Sequence, residues 1–190
     1  MLNIVIFGPP GAGKGTQSEK LIAHYQLKHL STGDIFRENI ANKTPLGLKV
    51  VEFTSNGILV PDEITINILQ DAMKNAGNVK GFIFDGFPRT VPQAEALDKM
   101  LAENGSKINS VVALDVTETE LKRRIEERKK VSGRADDDES KVIKRIEEYF
   151  NKTVHVLPYY EKQGKLSKVN GIGDIETIFK SITSAIDKNK

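Results

Sequence analysis

The segment Leu2-Asn-Ile-Val-Ile-Phe-Gly-Pro-Pro-Gly-Ala-Gly-Lys14 joins a short apolar run to a glycine-rich turn. Residues 2–7 have the length and composition of a strand that is buried on both faces of a parallel sheet. Residues 14–25 supply the helix that should follow such a turn. A strand that passes through a tight turn into a helix is the building unit of α/β folds, so this segment predicts the fold class.

Similar apolar runs recur at 81–85 and 110–115, with shorter extended pieces at 28–30 and 165–169. Helices are predicted at 34–41, 61–75, 90–104, 117–130, 136–160 and 174–185, with a helix stop at 56–57. We expect Asp34 to cap the first of these helices and 136–160 to be one long helix. The alternation predicts an α/β fold of three layers, with a central parallel five-stranded sheet flanked by helices.

The composition excludes several classes of protein. The 190 residues fit a single domain, 1–190, and the net charge of +2 is too small to indicate a nucleic-acid partner. Cysteine is absent, which excludes disulfides, thiolate catalysis and cysteine-ligated zinc. The sequence offers neither an apolar run long enough for a membrane span nor a secretory leader before the first strand. We therefore expect a cytoplasmic protein with no membrane partner.

Residues 8–16, the phosphate-binding loop, carry a glycine, four residues and then Gly13-Lys14 between a strand and a helix. The glycines let successive N–H groups point inward, while Lys14 and the helix N-terminus add positive charge. Because motif, strand and helix agree, we favour a polyanion site over a glycine-rich turn with a solvated lysine. Gly15 follows the lysine and the hydroxyl comes at Thr16, so direct magnesium ligation by the loop is not expected.

The loop, with Gln17 after it, resembles that of the adenylate kinase family, in which glycine is the usual residue after the lysine. Further blocks similar to that family follow in its order: 30–37, 57–62, 85–89 with Gln93, 133–137, and Arg145 with Tyr149. The resemblance covers essentially the whole chain. It implies the three-layer P-loop kinase fold of nucleoside monophosphate kinases, an AMP-binding insertion at 31–60, a short lid at 129–137 without the zinc-bearing insertion, and a monomer.

The resemblance also assigns residues to two nucleotides. On the ATP side it places Gly11, Ala12, Gly13, Lys14, Gly15, Thr16, Arg124, Arg128 and Gly173, with Arg124 stacking on the base. On the AMP side it places Thr32, Arg37, Ile58, Leu59, Val60, Gly86, Phe87, Pro88, Arg89, Gln93, Arg134 and Arg145. The residues predicted to be catalytic are Lys14, Asp85, Arg89, Arg128, Arg134 and Arg145.

Converging arginines are what this chemistry needs. A phosphoryl group in transit requires alignment and charge neutralisation, and guanidinium forks match phosphate geometry. Arg124 and Arg128 lie four residues apart on one helix face, although either could be an ordinary surface charge, as we expect for Arg123. Asp85 ends a buried strand beside the loop, where it can orient magnesium-bound water or simply cap a turn.

The acceptor predicted from Thr32 and Gln93 is AMP, because related UMP/CMP kinases usually carry alanine and often asparagine at these positions. The expected reaction is reversible transfer from ATP to AMP, giving two ADP, in adenine nucleotide homeostasis. Mg2+ would be held mainly by water and phosphate oxygens, with no metal ligated by protein side chains and no zinc. Two alternatives stay open: the same chemistry on UMP or CMP, and a nucleotide-binding regulatory switch, which would not need so many arginines.

Overall fold

The computed structural model of the protein describes residues 1–132 and 138–190. In chain order, the elements are β1 (Leu2–Phe7), α1 (Lys14–Tyr25), β2 (Lys28–Ser31), α2 (Thr32–Ala41), α3 (Pro45–Ser55), α4 (Asp62–Lys74), β3 (Gly81–Asp85), α5 (Val91–Glu103), β4 (Ser110–Asp115), α6 (Glu118–Ser132), α7 (Glu139–Asn151), α8 (Leu157–Glu161), β5 (Leu166–Asn170) and α9 (Ile175–Asp187). A 3-10 turn, Thr153–Val156, lies between α7 and α8.

The strands form one parallel sheet in the order β2-β3-β1-β4-β5. The predicted five-stranded parallel sheet is confirmed. β1 lies at the centre, with β3 on one side and β4 on the other, so the strand order reverses there. In open α/β sheets ligands bind outside the carboxyl ends of the strands at such a reversal, which here is where the phosphate-binding loop begins.

Each face of the sheet packs on its own hydrophobic core. Ile4 and Ile6 of β1 point into one core together with residues of α1, α6 and α9. Val5 and Phe7 point into the other, which is built with α5 and α8. All four side chains are at most 3% exposed, and burying one such side chain contributes about 1.5–3 kcal/mol. The central strand is therefore a rigid base for the loop that follows it.

Two sequence-based expectations about helices are wrong. α2 is capped by Ser31, whose Oγ accepts from the backbone N–H of Asp34 at 3.2 Å, so Asp34 is not the cap. The expected long helix ends at Asn151 instead of near Tyr160. Pro158 has no N–H to continue the helical bonding and would clash with the preceding turn. One continuous helix therefore cannot run through this residue, and Pro158 instead lies in the first turn of a separate helix, α8. Residues 136–137 of that expected helix lie outside the described residues.

The 31–60 segment contains α2 and α3, which share a small core of their own with Phe36, Val50 and Val60 at its centre. Of the segment 129–137, residues 133–137 lie outside the described part of the chain, and α6 continues through residue 132. The assignment of these segments as AMP-binding insertion and lid stays a prediction. Among the helices of the described residues, none combines the length and the apolar character needed to cross a membrane.

Candidate functional site

The phosphate-binding loop has a backbone that only glycine adopts easily. Gly11 and Gly13 have φ of 85° and 94°, and a Cβ added at Gly11 would lie 2.9 Å from Ile125 Cγ1. Gly13 is the N-cap of α1, and within the described residues no side chain accepts a hydrogen bond from the first turn of that helix. In the part of the chain that the structure describes, the first N–H groups of α1 therefore have no side-chain partner, the usual arrangement of an anion site.

The ammonium group of Lys14 lies inside this loop, where Nζ donates to the carbonyl oxygens of Gly8 at 2.7 Å and Pro9 at 3.3 Å. The pKa of Lys14 is lowered from 10.5 to about 8, chiefly by burial; the charge of Asp85 opposes the shift, and the charges of Arg89, Arg145 and Arg128 add to it. Several cations are thus held near one another, and a bound anion would relieve their repulsion.

The lowered pKa of Lys14 predicts how the stability of the protein depends on pH. Between about pH 8 and 10.5 the unfolded chain holds more protons at Lys14 than the folded chain, so this residue makes the free energy of unfolding rise with pH. We expect the difference in urea-unfolding free energy between the wild type and Lys14→Met, without nucleotide, to rise across that window. The slope should stay below ~1.4 kcal/mol per pH unit, the value for one whole proton. A flat or falling difference would contradict the pKa assignment.

Arg89 and Arg145 lie across a narrow cavity from Lys14. The Nε of Arg89 donates to the carbonyl oxygen of Gly86 at 2.7 Å, which fixes the plane of the guanidinium. Burial, followed by the charge of Arg145, lowers the pKa of Arg89 from 12.5 to about 10. Lys14, Arg89 and Arg145 all line one narrow cavity of about 60 Å³. Three positive side chains therefore converge on a space large enough for little more than a phosphoryl group.

A larger cavity of about 340 Å³ adjoins this space, enclosed by α2, α3 and the segments after them. Its volume is within the range of small-molecule sites. The predicted AMP-side residues that line it are Thr32, Arg37, Ile58, Leu59, Val60, Gly86, Arg89, Gln93 and Arg145. Phe87 and Pro88 line the narrow cavity instead. Arg89 and Arg145 line both cavities, so the two spaces adjoin at these two residues.

The two residues on which the predicted choice of acceptor depends are buried at the base of the larger cavity. Thr32 Oγ1 donates to the carbonyl oxygen of Gly86 at 2.9 Å. Gln93 Oε1 accepts from the backbone N–H of Arg89 at 2.7 Å, and its Nε2 donates to Asp62 Oδ1 at the same distance. Sequence reasoning read Asp62 only as part of a helix start and gave it no place in the site. The one sequence signal that could have assigned Asp62 to the site was its position after Pro61 in a block similar to the family.

Asp85 ends β3 directly beside the loop. Burial raises the pKa of its carboxyl, but the nearby imidazole of His29 and the charges of Lys14 and Arg89 outweigh burial and hold the pKa below its ordinary value. The carboxylate is therefore charged at neutral pH and suits a magnesium ion's water ligands. Among the described residues, no three acidic, histidine or cysteine side chains cluster to hold a metal directly.

On the other side of the loop, Arg124 connects two segments. Its Nη1 donates to the carbonyl oxygen of Ala12 at 3.1 Å and its Nη2 to that of Gly171 at 2.8 Å. Arg128, one turn further along α6, is close enough to influence the pKa of Lys14. Gly173 is exposed with φ of 133°, in the loop that Arg124 reaches. These contacts gather the predicted ATP-side residues around one edge of the loop.

The structure adds little about the other residues considered in the sequence analysis. Thr16 is exposed on the first turn of α1. Arg123 is a surface residue, as expected, and pairs with Glu120 and Glu127. Arg134 lies outside the described residues. Sequence reasoning also missed Glu148, whose Oε2 accepts from the backbone N–H of Leu59 at 3.3 Å, because a glutamate on a helix carries no signal of such a contact.

A phosphate-binding loop after the central strand of a parallel sheet, with a second cavity reached through a cluster of cations, defines a kinase of the P-loop class. Comparison with known proteins narrows this class. The family model described as adenylate kinase matches residues 6–165. The chain belongs to the adenylate kinase family of phosphotransferases.

The similarity to curated relatives extends over nearly the whole chain. An adenylate kinase of Flavobacterium johnsoniae is 52% identical over 188 residues, which cover 98% of this chain and 99% of the relative. One of Bacteroides fragilis is 48% identical, with 98% and 99% covered. One of Caulobacter vibrioides is 46% identical, with 98% and 97% covered.

Proposed function

We propose that this protein catalyses the reversible transfer of the terminal phosphoryl group of ATP to AMP, giving two molecules of ADP. The observation that carries the proposal is the junction of two cavities at Arg89 and Arg145, with Lys14 lining the narrower of the two. One nucleotide would enter along the phosphate-binding loop and the other through the larger cavity. Their phosphates would then meet at the cationic space between them. Reaction with a second nucleotide explains this arrangement better than a switch that holds a single nucleotide.

The chain's own residues would act by positioning and charge. The transferred group carries negative charge on its equatorial oxygens and needs alignment more than covalent help. Lys14 and the N–H groups of the loop hold the donor phosphates, while Arg89 and Arg145 orient the acceptor phosphate. Because Arg89 is already fixed through Nε, its two Nη groups are held as a fork for oxygens. Arg128 would complete the charge on the donor side, and Arg134 would add to the charge around the phosphates.

Mg2+ would lie beside the donor phosphates, where it supplies further neutralisation of their charge when bound. Gly15 offers the ion no hydroxyl, whereas the Asp85 carboxylate lies at the loop and can hold ions through water. The chemistry of this donor set fits an ion that keeps most of its water ligands.

Closure of the 31–60 segment over the larger cavity, and of the 129–137 segment as a lid, would expel water and prevent loss of the phosphoryl group to hydrolysis. The contact of Glu148 with Leu59 already connects α7 to the end of the 31–60 segment.

We propose a monomer that acts in the cytoplasm to balance ATP, ADP and AMP. A monomer accords with a site to which one chain supplies every proposed residue.

A panel of acceptors tests this proposal. With ATP and Mg2+ present, we expect AMP to exceed UMP, CMP and GMP by about 100-fold or more in kcat/KM, because buried polar groups that are built for one base are left unpaired by another. A coupled assay of ADP formation measures this directly. UMP turnover above that of AMP would contradict the assignment of the acceptor. ATP hydrolysis that is independent of any acceptor would favour the regulatory switch.

A further inference from the structure

The side-chain amide of Gln93 is held at both ends. Its oxygen accepts from the backbone N–H of Arg89, and its nitrogen donates to Oδ1 of Asp62, each at 2.7 Å. Oδ1 of Asp62 also accepts from the hydroxyl of Thr90 at 3.0 Å. Gln93 is 1% exposed, so water offers these groups little competition. We call Asp62, Thr90 and the N–H of Arg89 the Gln93 clamp.

The clamp determines which way the amide faces. A carboxylate only accepts hydrogen bonds and a backbone N–H only donates them. If the Gln93 amide turned by half a rotation, its oxygen would face the carboxylate of Asp62 and its NH2 would face the N–H of Arg89. Both bonds would be replaced by repulsion between like groups. The chemistry of the partners therefore sets the positions of the amide oxygen and nitrogen.

A clamped amide still has hydrogen-bonding capacity for a ligand. Each carbonyl oxygen can accept two bonds and each NH2 can donate two, and the clamp uses one of each. Gln93 lines the larger cavity, where the second pair can address the edge of a base. A 6-aminopurine offers an acceptor at N1 and a donor at the 6-amino group. A 6-oxopurine offers the reverse, a donor at N1 and an acceptor at O6.

We propose that Asp62 is a specificity-determining positioning residue that locks Gln93 for 6-aminopurine monophosphates and against 6-oxopurine monophosphates. The proposal rests on the proposed function, since it concerns the acceptor cavity of that reaction. Pairing with a 6-oxopurine requires the turned amide, which the clamp opposes. Asp62 has this effect without contacting the base, because it acts through Gln93.

The variant Asp62→Asn tests the lock with little change in size. The amide of asparagine can rotate to donate as well as accept, so position 62 then tolerates either orientation of Gln93, and only the N–H of Arg89 still opposes the turned one. AMP and IMP are the matched acceptors, since they differ only at the N1 and C6 edge of the purine. We expect the ratio of kcat/KM for AMP to that for IMP to fall about tenfold relative to the wild type. The KM for ATP should not change.

The control is Asp71→Asn, which removes the same charge from the exposed face of the same helix, α4, and should leave the ratio unchanged. Equal losses with AMP and IMP in Asp62→Asn would mean that Asp62 is merely structural, and would overturn the proposal. An unchanged ratio in a folded variant would overturn it as well. In either case AMP turnover by the wild type leaves the proposed function standing, whereas a wild type that does not phosphorylate AMP removes that function itself.

A measurement on the wild type covers the case in which the variant does not fold. With AMP bound, NMR should detect a scalar coupling across the hydrogen bond from the Gln93 side-chain nitrogen to the carboxyl carbon of Asp62. The coupling supports the clamp. Its absence, with both resonances assigned, would overturn the proposal without any substitution.

Discussion

Replacing Lys14 by methionine is expected to lower kcat/KM for the ATP and AMP reaction about 1,000-fold. Methionine keeps the length of the side chain but removes the charge that the loop holds between the carbonyl oxygens of Gly8 and Pro9. Loss of one preorganised group that stabilises developing charge typically costs about 100- to 1,000-fold in rate. The upper end applies here because Lys14 contributes to binding of the donor phosphates and to charge at the transferred group. Initial rates of ADP formation measure the effect.

The same variant should be more stable than the wild type near neutral pH when no nucleotide is bound, because it removes the cost of burying the Lys14 charge and the repulsion of that charge by Arg89 and Arg145. Lys20→Met is the matched control, since it removes a lysine of the same helix that pairs with Glu176 at the surface. Its activity should match that of the wild type. A Lys14→Met protein that keeps more than a tenth of wild-type activity would contradict the assignment of the loop.

Replacing Arg89 by lysine is expected to lower kcat/KM for AMP about 100-fold although the formal charge is kept. Lysine has no group that reproduces the bond from Nε to Gly86 together with a fork for phosphate oxygens. A lysine ammonium also begins from a lower pKa than a guanidinium. At a position where burial and the charge of Arg145 lower the pKa, lysine would therefore lose its proton more readily. Steady-state kinetics with AMP varied at saturating ATP measure the loss.

Arg123→Lys is the control for this substitution. Arg123 lies on the outer face of α6, paired with Glu120 and Glu127, and its exchange for lysine should change neither kcat nor the KM for AMP. If Arg89→Lys stays within threefold of the wild type, Arg89 does not orient the acceptor phosphate. A rise in the KM for ATP alone would instead place Arg89 with the donor.

The strand, turn and helix around the phosphate-binding loop could be predicted from the glycine and lysine pattern, because the physical causes of these three elements are local. The strand before it needs apolar neighbours, the turn needs glycines at positive φ such as Gly11 and Gly13, and the helix after it begins at Lys14. All of these requirements lie within a few residues of one another. The boundaries of α1 and the predicted helix at 90–104, observed as α5, follow from signals of the same short range.

Local reasoning failed where two local signals compete. Ser31 and Asp34 are both good cap residues, and the side chain of Asp34 instead pairs with Arg37 at 2.6 Å. The helical pattern of α7 runs on past Asn151, but Pro158 and the buried Thr153 and Val156 favour a break. Which signal prevails depends on packing that the pattern does not contain.

By itself the sequence determined the parallel α/β class and the phosphate-binding motif, and its family-like blocks predicted which residues should meet two nucleotides. Only the tertiary structure decided which side chains are hydrogen-bonded to which segments. Asp62 accepts from Gln93, 31 residues away in sequence; Arg124 donates to Gly171, 47 residues away; and Glu148 accepts from Leu59, 89 residues away. Spacing along the chain cannot reveal such pairs. They form only when the fold brings distant segments together, because a hydrogen bond depends on distance in space and not on separation in sequence.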